Sequence, residues 1–115
     1  GGVAVAPEAV LLATSEAVAG HETVEHRGLC SGSTVRTRHI GRDLTSSLKA
    51  LVGGELVAYT ELMQEARAEA IARMQEDAAG MGANAVVCMR FSSANIAGNA
   101  SEVMAYGTAV VARKL

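Results

Sequence analysis

Residues 54–88, GELVAYTELMQEARAEAIARMQEDAAGMGANAVVC, leave this chain few ways to fold. Apolar or small residues recur at helical spacing through Leu56, Tyr59, Met63, Ala66, Ala70, Met74, Ala78 and Met81. Glu61, Glu65, Glu69, Arg73 and Glu76 occupy the other side, and Glu69 precedes Arg73 by four residues, the favourable order for an exposed pair. Gly80 and Gly82 offer left-handed positions that end a helix at little cost. Ala83-Asn84-Ala85-Val86-Val87 has no helical period and carries β-branched residues, so a strand follows at once. The segment predicts a helix of about 26 residues, roughly 39 Å long, as long as a domain of this size is wide. One of its ends is expected to project.

A chain of 115 residues makes one domain and buries roughly two-thirds of its unfolded surface. Half of its residues are apolar, yet it has one Phe, two Tyr and no Trp. Its interior must therefore come from Val, Leu, Met and Ala, whose small side chains bury little area each. Contacts between copies are the expected source of the missing burial. Ten basic against twelve acidic residues give net charge −2, which argues against nucleic acid as the main partner. The basic cluster of Arg36, Arg38, His39 and Arg42 is short. No apolar run reaches the roughly 18 residues that span a bilayer, and no basic segment precedes an apolar one at the N-terminus. Gly1-Gly2 reads as a processing scar. Cys30 and Cys88 lack motif spacing and are expected as reduced, buried thiols in a cytoplasmic setting.

In chain order, residues 1–20 form an N-terminal segment with a short strand expected at AVLLAT (9–14), and 21–115 form the main domain. Residues 23–35 predict a long bent strand, with Gly28 and Gly32 marking a bulge or a close backbone approach. Residues 36–41 read as a connection. A short helix is expected over 42–52, with Leu44, Leu48, Leu51 and Val52 in its stripe and Asp43 in its first turn. Two final strands are expected at about 84–92 and 102–113. Ala85, Val87, Met89 and Phe91 would share one face of the first. Both faces of these strands are apolar, so the second face of the sheet should be covered by the N-terminal segment or by another subunit.

Gly53-Gly54, Ala66-Arg67, Gly82-Ala83-Asn84-Ala85-Val86 and Gly107-Thr108-Ala109-Val110, in this order, resemble the YbjQ-like family of small bacterial proteins, which carry a heavy-metal-binding label. Arg42-Asp43 and Tyr59 also fit, and the likeness runs from about Thr23 to Val111. The resemblance implies an α+β fold: an antiparallel sheet of three to four strands packed by one short and one long helix, assembling into a ring, commonly a homopentamer. It implies no known reaction. Any cofactor would be a divalent transition-metal ion.

The thiol and imidazole ligands available to such an ion are His21, His26, Cys30, His39 and Cys88, none of them at a metal-binding spacing. On a straight strand His26 and Cys30 share a face about 13 Å apart, and His21 and His26 point to opposite faces. Within one subunit these residues read as buried thiols and ordinary surface histidines. A ring changes that geometry, because one ligand per copy can converge on a symmetry axis. His26, Cys30 and Cys88 are the metal candidates on that basis, with His26 and Cys88 best suited to it. The serines lack a nucleophile elbow and no phosphate-binding fingerprint is present, so no enzyme is expected. The alternative to a metal binder is a structural or interaction module whose ring binds a small ligand or serves as a scaffold.

Overall fold

The computed structural model describes residues 4–37 and 54–115. The expected short helix over 42–52, with His39 and the Arg42-Asp43 pair, lies outside the described residues, as does the side chain of Tyr59. A 3-10 turn at Pro7–Ala9 leads into β1 (Leu11–Leu12), followed by β2 (His21–Thr37), α1 (Gly54–Gly80), β3 (Ala85–Ala97) and β4 (Ala100–Lys114).

The long helix forms over the expected stretch, and its buried stripe is Ala66, Ala70, Met74 and Ala78. Three of the four are alanine, so the helix backbone sits close to the sheet. At Gly32 in β2 the approach is closest: a Cβ there would stand 2.2 Å from the Met74 nitrogen and 2.5 Å from the Ala70 oxygen. Only one of the two glycines at the helix end is left-handed. Gly82, at φ +81°, closes a Schellman cap in which the Ala83 amide donates to the Ala78 carbonyl and the Gly82 amide to that of Ala79, each at 3.0 Å. Gly80 is simply the last helical residue.

The four strands lie in the order β1-β3-β4-β2. β2 pairs antiparallel with β4, and β3 with β4 through the two-residue connection Gly98-Asn99, but β1 runs parallel to β3. The sheet is therefore mixed, not antiparallel throughout. Two residues carry no period from which a direction could be read. The direction is set instead by backbone groups: Leu11 N–H donates to the Asn84 carbonyl, and Met89 N–H and Cys88 N–H turn back to Ala13 and Ser15.

Bulges decide which face each side chain takes. Cys88 adopts φ +54°, and the register slips between Val87 and Arg90. Val86 and Met89 then pack in the helix-facing core, whereas Ala85 and Val87 pack on the other face. The expected alternation through Ala85, Val87, Met89 and Phe91 is broken at this point, because the extra residue shifts everything after it. In β2 the register slips between Thr23 and Glu25 and again between His26 and Gly28.

The second face has two parts. At one end Ala13 and Val18 of the N-terminal segment cover Ala85, Val87, Val110 and Ala112. At the other end the face is open, with Leu29 75 % and Val35 50 % exposed beside half-buried Met104 and Tyr106. Along the outer edge of β2 the helix supplies partners: Asp77 accepts from Ser31 N–H at 2.9 Å, and Arg73 donates to the Ser33 carbonyl at 2.6 Å. Such capping blunts an edge strand. The molecule is elongated, 54 Å in its longest direction, with a radius of gyration of 17.4 Å against about 13 Å for a compact domain of this length.

Candidate functional site

The three metal candidates fall in three different environments. Cys30 is buried under α1, in register with Gly107, and its thiol donates to the Gly107 carbonyl at 3.6 Å. His26 pairs with Val110 and is exposed. Residues directly opposite in a sheet share a face, and Val110 belongs to the second face, so His26 and Cys30 lie on opposite faces. The slip after His26 overturns the straight-strand expectation that they share one. The slip after Thr23 likewise puts His21, opposite Lys114, on the same face as His26. Cys88 lies at the β3 bulge that opposes Gly107, two strand spacings from Cys30, about 9.6 Å at the backbone. That exceeds the roughly 6.8 Å a disulfide spans, and both thiols are free. Among the described residues no three His, Cys, Asp or Glu side chains gather where they could hold a metal ion.

Burial pushes the Cys30 thiol above its ordinary value of 9.0, and the nearby Asp77 carboxylate pushes it the same way, against smaller backbone hydrogen bonds that lower it. A metal takes the thiolate, so this position suits packing better than ligation. The protonated thiol is favoured by folding. Its contribution is therefore fully present below pH 9.0 and is lost as pH rises through the higher folded-state value. Urea midpoints taken from neutral to alkaline pH should decline above pH 9 in the parent and less steeply in Cys30→Ala. Parallel declines would contradict this assignment.

A cleft of about 510 Å³ opens between α1 and the end of the β3–β4 hairpin, within the size range of small-molecule sites. Arg36, Leu62, Met63, Asn95, Ile96 and Ser101 line it. Arg36 reaches Glu69, which also pairs with Arg73 one helical turn on. Arg36 Nε is buried and has no hydrogen-bond partner among the described residues. Ser101 donates its hydroxyl to Asn95 Oδ1 at 3.0 Å. This group is not legible in the sequence, because Arg36 reads as the start of a connection and Asn95 falls between the two strands expected at 84–92 and 102–113. Both are in strands that run beyond the expected bounds, β2 to Thr37 and β3 to Ala97.

A model of the YbjQ family, described as "putative heavy-metal-binding", matches residues 10–113. A UPF0145 protein of Dehalococcoides mccartyi is 51 % identical over 89 % of this chain and 98 % of its own length. One from Acinetobacter baylyi is 55 % identical over 80 % of this chain and 85 % of its own length. One from Halobacterium salinarum is 53 % identical over 84 % and 93 %. Among solved structures, a protein of unknown function from Pediococcus pentosaceus superposes with a TM-score of 0.60. It covers 90 % of this chain and 98 % of its own at 11 % identity, a likeness of fold. No described helix is long and apolar enough to cross a membrane.

Proposed function

Because this chain belongs to the YbjQ family, whose function is uncharacterised, we propose that it works as a self-assembling, non-catalytic protein of the bacterial cytoplasm, with copies closing into a ring, most simply a pentamer, that binds metal ions between subunits. The uncovered part of the second sheet face supports the assembly. Leu29 and Val35 stand in solvent on the same face as Met104 and Tyr106, apolar side chains set among Ser31, Ser33, Ser92 and Arg90 on a protomer poor in bulky core residues. A second copy would supply the burial that the N-terminal segment supplies at the other end. Leu29→Glu should shift the protein to a smaller species in light scattering at micromolar concentration, with unchanged far-UV circular dichroism. An unchanged assembly would remove this face from the contact.

The metal reading depends on that assembly, since the candidate ligands of one chain lie apart. His26 is the residue best placed to meet its own copies, because it is exposed on the second face. Cys88 is partly exposed and comes next, whereas burial of Cys30 weighs against it. Calorimetric titration with zinc should give a saturable heat that His26→Ala removes. Absence of any saturable heat would end the metal reading and leave a scaffold, without touching the assembly.

A further inference from the structure

We propose that the cleft at Arg36 binds a small aliphatic carboxylate, with Arg36 Nε and the side-chain amide of Asn95 as its two donors. The proposal is independent of the metal reading and rests on different residues. Its starting point is the Nε–H that has no acceptor among the described residues: a buried donor left unpaired is costly, and an acceptor entering the cleft would satisfy it. Arg36 Nη2 is held by Glu69. That ion pair orients the guanidinium while Nε stays available to a ligand.

Charge selects the kind of acceptor. Glu69 sits between Arg36 and Arg73, so two cations share one anion and the group retains one positive charge. A monoanion neutralises it, whereas a phosphate dianion would not be matched. Geometry supplies the second contact. With Asn95 Oδ1 taken by the Ser101 hydroxyl, the Asn95 amide nitrogen remains as a donor on the wall shared with Arg36. A carboxylate has two oxygens for these two donors, and a neutral alcohol offers neither the charge nor the second acceptor. Leu62, Met63 and Ile96 add apolar contacts for a short hydrocarbon chain to a lining that is otherwise largely polar.

The test is calorimetric titration of the full chain with hexanoate, with hexan-1-ol as the uncharged comparison. Hexanoate should give saturable binding to the parent protein. Arg36→Lys, which keeps the charge but lacks the Nε donor, should weaken it about tenfold. Asn95→Ala, at an exposed hairpin position, should weaken it severalfold with unchanged circular dichroism. Should Arg36→Lys fail to fold, Asn95→Ala and the alcohol decide the matter. No saturable heat with hexanoate, equal binding of hexan-1-ol, or undiminished affinity in the folded variants would overturn the assignment.

Discussion

Gly32→Ala should cost about 4 kcal/mol, beyond the usual range for an overpacked core site and a large part of the stability of a domain this size. The new Cβ would fall 2.2 Å from Met74 N, 2.5 Å from Ala70 O and 2.6 Å from the Arg73 carbonyl carbon. All three are backbone atoms of one helix, so no side chain can rotate away. Relief requires α1 to lift from β2 as a body. That movement would open the core around Met74 and Cys30 and draw Asp77 and Arg73 off the strand edge. Urea unfolding followed by far-UV circular dichroism measures the loss. Gly80→Ala is the control, since a Cβ there meets nothing within 4 Å. A Gly32→Ala midpoint close to that of the control would mean that the helix does not seat on this glycine.

Asn84→Ala should cost about 3 kcal/mol and lower the melting temperature by about 10 °C or more. Asn84 is the first residue after the helix cap, and it does the work of a ladder position with its side chain. Its Nδ2 donates to the Ala112 carbonyl at 2.8 Å, and its Oδ1 accepts from the Ala112 amide at 2.7 Å. Its own amide reaches the Val110 carbonyl, and its carbonyl receives Leu11 at the start of β1. One residue thus ties the helix exit, β4 and β1 together. Removing the amide leaves two backbone groups of Ala112, itself only 7 % exposed, without partners. Asn84→Asp keeps the acceptor and loses the donor, so its melting temperature should fall between the two. A loss in Asn84→Ala as small as that of an ordinary surface substitution would contradict this role.

Much of the fold was legible from residues 54–88 because a long helix and the glycine that ends it are local events. Ala66, Ala70, Met74 and Ala78 are buried at the predicted spacing, and Gly82 turns left-handed where the pattern ends. Gly32 could be marked as a place of close approach from its interruption of a strand, though not what approached it. The faces of β2 and β3 were not legible, since each depends on slips of register that no alternation announces. Those slips separate His26 from Cys30, and Cys88, itself at a bulge, lies two strands away. The parallel pairing of β1 is likewise long-range: Leu11 and Leu12 find their direction from Asn84 and Val86, more than 70 residues away. The Arg36 cleft needed both kinds of knowledge. It joins a strand end, a helix face and a hairpin that are distant in sequence, and its polar lining resembled loop composition.

In the proposed assembly one protomer leaves part of its sheet bare and copies cover it. Native mass spectrometry of the unmodified chain at micromolar concentration tests this most directly. A closed oligomer is expected, with a pentamer appearing at about five times 11.8 kDa. A single species at 11.8 kDa, stable on concentration, would contradict it.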